Sequence, residues 1–587
     1  MSDNMGRLRG RTSLTIILMI IFALLVLTYH LLSSEVEETP IAKINGRVEV
    51  ENAYQLSDLT ETSLEMQRRH QFEAHLVGRW KNGEVRQDFH DLKYNGEPKN
   101  NELFKGHKIV HLDLKGAPPI FSFYKELLSL LRSLGATGIL LEYEDMFPFS
   151  GEIENISATN SYSKAEIKEI QRLAKENNLI VIPLVQTFGH LEFVLKLDKF
   201  KDYREVFRYP QVICPTYNKT LSLIYQIIDQ VAEAHPEAEH LHIGADEVYN
   251  LGECPRCTET MTRNHWSKRQ LFLSHVAKVV RYVKKKYPHL TILMWDDEFR
   301  DISPQEIRES SLHRLVEPVV WKYTTDPAAA LTDQLWESYA SVWPAIWIAT
   351  AFKGATEPDR YYTDISYHLE NHQRWLEIIS KYSHRIHFRG AILTGWQRYD
   401  HFSVLCELLA TAIPSLAVNL AVLHSSTLTN FPMEIPHHVA KILQCDSSVS
   451  LSIPEPQYGW TRCNFHGVKV YAATLRLYTL QQEIARMELD NTFKGWLKPY
   501  NVKHSFSSPT YVERAVLELD RYKMEIMYIE REIREAMDGI YDSYTIDEWL
   551  ETYVAPLNDK VTKLWDAKEK ILDKYEWPRR PIAKNEL

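Results

Sequence analysis

The stretch Leu241-His242-Ile243-Gly244-Ala245-Asp246-Glu247-Val248-Tyr249 decides how this chain is read. Leu241 to Ile243 is an apolar, β-prone run that ends in a glycine and two adjacent carboxylates. Carboxylates at the end of a buried strand are costly unless they are paired, hydrogen-bonded or used in chemistry. Glycoside hydrolysis is one chemistry that needs two such groups, one of them holding a transferable proton. An Asp-Glu pair also suits a helix N-terminus, where the macrodipole favours acids. The surrounding sequence separates these readings.

Working outward, the same apolar-run-then-polar pattern recurs. Strand candidates are Lys108–Asp113, Gly138–Glu142, Leu179–Val185, His240–Gly244, Leu290–Trp295, Val319–Trp321, Trp343–Ile348 and Ala391–Trp396. Helical patterns lie between the early ones, at Phe121–Leu134, Lys164–Asn177, Leu221–Ala234 and Lys268–Lys286. Strands alternating with helices predict an α/β fold, here a (β/α)8 TIM barrel. Most runs end in groups that can do chemistry: Asp113 and Lys115, Glu142 and Glu144, Gln186 to His190, Asp246 and Glu247, Trp295 to Asp297, Trp321, and Trp396. Barrel enzymes collect their active sites at that end of the strands.

The flanks differ from this core. Arg7, Arg9 and Arg11 precede an apolar run without a small-x-small cleavage site. Basic residues on that side place the N-terminus in the cytosol, so the run reads as a type II signal anchor, with a cleaved signal as the other reading. The expected organisation is a cytosolic tail at 1–13, a transmembrane anchor at 14–32, a stem at 33–104, the catalytic barrel at 105–430 and a mostly helical region at 431–587. The short span favours an early secretory membrane, with the Golgi as the expected location and a lumenal body. The sequons Asn155-Ile156-Ser157 and Asn218-Lys219-Thr220 agree with that side of the membrane. In the C-terminal region Ala515, Leu519, Tyr522, Ile526, Ile529 and Ile533 step by four and three. This stripe fits a dimerisation helix and hence a homodimer, although a stripe this short more often packs within its own chain.

Composition narrows the partners. A formal net charge of -10, with no basic cluster interleaved with aromatics, excludes nucleic acid. The 14 Trp and 31 Tyr suit sugar faces, though most such rings fill a core of this size. The six cysteines are compatible with an oxidising compartment. Cys254-Pro255-Arg256-Cys257 reads as a small structural disulfide, with a redox motif or half of a zinc site as other readings. No second Cys-x-x-Cys exists, so neither metal nor cofactor is expected. Cys445 and Cys463 are a further candidate pair.

The run His242–Glu247 resembles the Gly-x-Asp-Glu signature of family 20 β-N-acetylhexosaminidases, and Val248–Cys254 resembles their hexosaminidase D branch. The segments 111–116, 142–148, 186–190, 352–354 and 394–400 carry the same resemblance in order, spanning about 105–425. The resemblance implies an exo-acting hydrolase of terminal β-linked N-acetylgalactosamine or N-acetylglucosamine, with galactosaminides favoured by the branch. It implies a retaining mechanism in which the substrate's own 2-acetamido oxygen attacks the anomeric carbon. Glu247 is then the acid and later the base, and Asp246 orients the acetamido group and stabilises positive charge on its nitrogen. The Asp246 anion is further expected to help keep Glu247 protonated.

For the sugar the candidates are Trp295, Trp321 and Trp396 as walls and Tyr323 as the hydroxyl meeting the acetamido oxygen. Asp113, His190, Asp297 and Asp400 are candidates for sugar hydroxyls or for support behind them. Lys115 stands where the family commonly has an Arg. The alternative is a membrane-anchored glycan-binding protein on an inactive hydrolase fold.

Overall fold

The computed structural model describes residues 102–428, 431–446, 453 and 458–582. The expected anchor at 14–32, and most of the stem, lie outside the described residues. Among those described, no helix is long and apolar enough to cross a membrane.

Eight parallel strands close into a barrel. They are β1 (His107–Asp113), β2 (Gly138–Glu142), β3 (Ile180–Leu184), β6 (His240–His242), β7 (Thr291–Trp295), β8 (Val316–Trp321), β9 (Ile346–Lys353) and β10 (Phe388–Gly395). Their order around the barrel is β1-β10-β9-β8-β7-β6-β3-β2. β2 and β9 are buried along their whole length, because a parallel strand is covered on both faces. This is why the strands read as apolar runs and not as alternating patterns. β8 and β10 each begin three residues before their expected starts, and β9 begins three residues after its expected start and runs on to Lys353. Trp343 instead ends the helix Asp333–Val342 and packs its ring on Phe299 at 5.2 Å.

Strand parity sorts the core into two shells. Ile109, Leu140, Ile182, Leu184, Leu293, Val319, Trp347, Ala349 and Ile392 form a separate inner cluster. Their neighbours Val110, Leu141, Ile292, Val320, Ile348 and Leu393 join the larger shell under the helices. Side chains alternate with a period of two, so His111 and Asp113, Glu142, Trp295, Trp321 and Lys353 continue the inward rows to the barrel's C-terminal mouth.

The expected helices are present as Tyr124–Ser133, Lys164–Glu176, Thr220–Ala234 and Lys268–Lys286. Ser163 with Glu166, and Ser267 with Gln270, close reciprocal capping boxes at two of their starts. A two-stranded hairpin, β4 (Arg204–Val206) and β5 (Tyr209–Ile213), enters between β3 and β6 and was not anticipated from sequence.

The region after the barrel is helical, as expected. The stripe residues Leu519, Tyr522, Ile526, Ile529 and Ile533 are buried in the helix Leu519–Met537. That helix packs against Val468–Leu489 and Ala555–Leu572. The stripe is therefore intramolecular core, and the dimerisation reading is corrected. These helices also close on the barrel: Arg398 binds Glu548 through two bonds of 2.6 Å, and the Tyr541 hydroxyl accepts from the Ala410 N–H at 3.3 Å.

Candidate active site

Beyond β6 the backbone turns sharply. Gly244, Ala245 and Glu247 all have positive φ, at 60°, 66° and 47°. Left-handed conformations at non-glycine residues are costly and mark places where the surroundings over-determine the chain. A Cβ on Gly244 would lie 1.9 Å from Gln186 Oε1, and one on Gly189 would lie 2.1 Å from the Asp246 carbonyl oxygen. The two loops after β3 and β6 thus touch backbone to backbone, which only glycine permits.

This contact brings His190 against the carboxylate pair. Its Nε2 donates to Glu247 Oε2 at 3.0 Å and lies 3.7 Å from Asp246 Oδ2. Gln186 donates to Asp246 Oδ1 at 3.1 Å while its own Oε1 accepts from the Ala245 N–H. Two consecutive acids after β7 hold the other side of the loop. Asp297 accepts the Glu247 N–H at 2.8 Å, and Glu298 accepts the Val248 N–H at 2.9 Å. The other Asp297 oxygen accepts the Trp321 indole N–H at 3.2 Å.

The protonation pattern differs from the sequence expectation. Burial opposes charge on His190, yet Asp246 and Glu247 outweigh it and raise its pKa to about 10. Glu247 is buried, which would raise its pKa, but the His190 contact holds it below the ordinary carboxylate value. Asp246 is pushed up to about 6 by burial, against the pull of His190 and with help from Glu247 and Glu142. The His190 contact thus works against the protonation expected of Glu247.

The aromatic candidates gather above the inner core. Trp321 and Tyr323 stack at 5.3 Å between ring centroids. Trp396 lies 6.3 Å from Tyr323 and 6.0 Å from Trp295. Trp295 is buried, and its indole N–H has no hydrogen-bond partner among the described residues. Burial raises the Tyr323 hydroxyl pKa far above its ordinary value, so the group stays a neutral donor.

The remaining candidates bond to partners other than the pair. Asp113 accepts the Gln397 N–H at 2.7 Å and the Lys115 N–H at 3.1 Å. Lys115 is buried beneath the Trp396 ring, with its ammonium 3.3 Å from Asp113 and 3.6 Å from both Glu142 and Glu144. Asp400 turns one oxygen to the N–H groups of Phe402 and Ser403. Gln186 and Glu142 were named only as strand-end groups without a role, and Glu298 was not singled out. Gln186 and Glu142 also lie in segments that carry the family resemblance, whereas Glu298 had only its nearness to a strand end.

The pattern of glycosyl hydrolase family 20, catalytic domain, matches residues 131–396. Hexosaminidase D of Homo sapiens is 38% identical over 452 residues, covering 76% of this chain and 91% of that relative. The chain belongs to glycosyl hydrolase family 20. It is a β-hexosaminidase by class, so the inactive binding-protein alternative is set aside. Hexosaminidase D of Bos taurus is 48% identical over 327 residues, 55% of this family 20 chain and 94% of the relative. A β-N-acetylhexosaminidase structure from Bacteroides fragilis covers 58% of the chain and 71% of its own, at 17% identity and a TM-score of 0.45.

Proposed function

We propose that this family 20 enzyme removes terminal β-linked N-acetylgalactosamine or N-acetylglucosamine from glycans, with the substrate's acetamido oxygen as nucleophile. The observation that carries this reading is the Asp246–Glu247 pair, locked at the mouth of the barrel beside Trp295, Trp321, Tyr323 and Trp396. Glu247 protonates the leaving oxygen and then activates water. Asp246 stands as a fixed anion against the positive charge that develops on the acetamido nitrogen, in a site needing no reorganisation. An acetamido group already held near the anomeric carbon has a large effective molarity.

His190 supplies the proton. When a glycan displaces water, the drier surroundings disfavour the His190–Glu247 ion pair and favour the neutral pair, moving the proton to Glu247. Trp321 and Tyr323 wall the acetyl group, with Asp297 holding the Trp321 indole. Digestion of a panel of defined N-acetylhexosamine-terminated glycans, with products read by mass and anomeric configuration by NMR, tests this reading. Release of single N-acetylhexosamine residues in the β configuration is expected. A covalent glycosyl ester on a protein carboxylate, or equal turnover of hexosides lacking the acetamido group, overturns it.

The location is part of the same proposal: a type II membrane protein of the Golgi, anchored by 14–32, with a lumenal catalytic domain. Support comes from the Arg7, Arg9 and Arg11 flank, from exposed Asn155 and Asn218, and from the Cys445–Cys463 disulfide. Resistance to carbonate extraction and a mobility shift on glycosidase treatment are expected. A soluble secreted form beginning near Ser34 overturns the anchor and leaves the enzymatic reading intact.

A further inference from the structure

Cys254 and Cys257 do not form the expected disulfide; both thiols are free, as are those of Cys214 and Cys406. The β4–β5 hairpin and the residue after it bring two further groups to the motif. Cys214 Sγ lies 3.4 Å from Cys254 Sγ and 3.6 Å from Cys257 Sγ. Glu205 Oε2 lies 3.1 Å from Cys257 Sγ. One ligand atom from each of the four residues falls within 4.8 Å of every other, and all four residues are buried.

We propose that Glu205, Cys214, Cys254 and Cys257 form a structural zinc site. Tetrahedral zinc with Zn–S bonds of about 2.3 Å sets its sulfur ligands about 3.8 Å apart, close to the spacing found here. A disulfide needs sulfurs at about 2.05 Å, and any pairing among three cysteines strands the third beside a buried carboxylate. The thiolate-rich donor set selects zinc over calcium or magnesium.

The surroundings are those of a metal site. Cys254 caps the helix Pro255–Asn264, and its sulfur accepts the Cys257 N–H at 3.3 Å. Glu205 directs Oε1 to the N–H groups of Glu253 and Cys254, at 2.8 and 3.1 Å, which leaves Oε2 for the metal. Such outer contacts orient ligands before the ion arrives. Arg256 interacts with Cys214 and Cys254 and offsets part of the negative charge that three thiolates and a carboxylate leave around a divalent ion.

Four protein ligands leave no open position, so the ion has a structural role. It fastens the hairpin to the loop that carries Asp246 and Glu247. The hairpin also holds the His190 segment, through Leu191 N–H to Gln211 O at 3.0 Å and Ile213 N–H to Phe188 O at 3.2 Å. The staple therefore ties together the two loops whose meeting makes the His190–Glu247 contact.

Metal analysis of the full chain, purified without chelators, tests the site. One zinc per chain is expected, falling below about a tenth in Cys257→Ser, since a lost thiolate removes most of the affinity. If that variant does not fold, the wild-type chain still decides. Stepwise modification with a mercurial should release one zinc in proportion to the blocking of Cys214, Cys254 and Cys257, read by a chromogenic chelator. Sub-stoichiometric metal both as purified and after incubation with zinc, or a mapped disulfide among these three cysteines, overturns the proposal.

Discussion

Glu142 and Asp246 are both buried acids near the C-terminal ends of barrel strands, and they are held in opposite ways. Glu142 faces His111 Nε2 at 3.0 Å and the Lys115 ammonium at 3.6 Å. Burial works against its charge, but Lys115 and His111 prevail and hold it down at about 2. Asp246 shares one histidine with Glu247, and burial raises it to about 6. The first acid is compensated and fixed as an anion. The second is less compensated, so the charge that its proposed role requires is lost below about pH 6. Burial alone does not mark a functional acid; the balance of its partners does.

The largest effect that tests this contrast is at Glu247. Glu247→Gln keeps the shape and removes the proton, so turnover of glycans should fall about 10²–10⁴-fold. Aryl substrates with good leaving groups should suffer less, because they need less protonation. Near-normal turnover of glycans by this variant would remove Glu247 from its role.

Asp246→Asn comes next, with an expected loss of about 10²–10³-fold for a fixed charge removed from the transition state. Binding of a thiazoline analogue of N-acetylhexosamine should weaken with it. Because Asp246 acts as an anion and its pKa is raised to about 6, wild-type kcat/KM should decline as pH drops below about 6. A wild-type rate that stays flat from pH 7 to pH 5 would contradict the assignment.

Glu142→Gln should act on stability first. It leaves Lys115 with less compensation in the interior, and breaking a buried pair from one side costs about 3 kcal/mol. Chemical denaturation measures this. The wild-type contribution of Glu142 is present above its ordinary pKa of 4.5 and is lost as pH falls towards 2. A loss of activity at unchanged stability would place Glu142 with the reacting groups and break the comparison.

The smallest effect on folding stability concerns His190. Its pKa is raised from 6.5 to about 10, so the stability it contributes is full below 6.5 and lost as pH rises through about 10. The difference in denaturation midpoint between wild type and His190→Gln should therefore shrink across that range. A difference independent of pH would mean that the imidazole packs there without charge.

Much of the barrel was legible in the sequence, for a reason particular to parallel sheets. Runs such as Gly138–Glu142 are buried on both faces and stay apolar throughout, so each announces itself locally. The Asp246–Glu247 pair was legible because two acids at the end of such a run are costly without a use. The hairpin was not: β4 is Arg204-Glu205-Val206, three residues without an apolar pattern. The zinc reading was discounted for want of a second Cys-x-x-Cys, because Glu205 lies in that unseen hairpin and Cys214 directly follows it. The stripe on Leu519–Met537 was legible as a buried face, but its partner was not, since one helix face looks the same against its own chain or a second copy.

The sequence by itself determined most of the strand runs and the placing of Asp246 and Glu247 at the end of one, because these depend on neighbours along the chain. Only the tertiary structure decided which partners surround each acid and which groups meet Cys254 and Cys257. Those depend on charges and donors within a few ångströms in space, where Coulomb and desolvation terms are largest. His190 and Glu247 stand 57 residues apart in the chain and 3.0 Å apart in the fold.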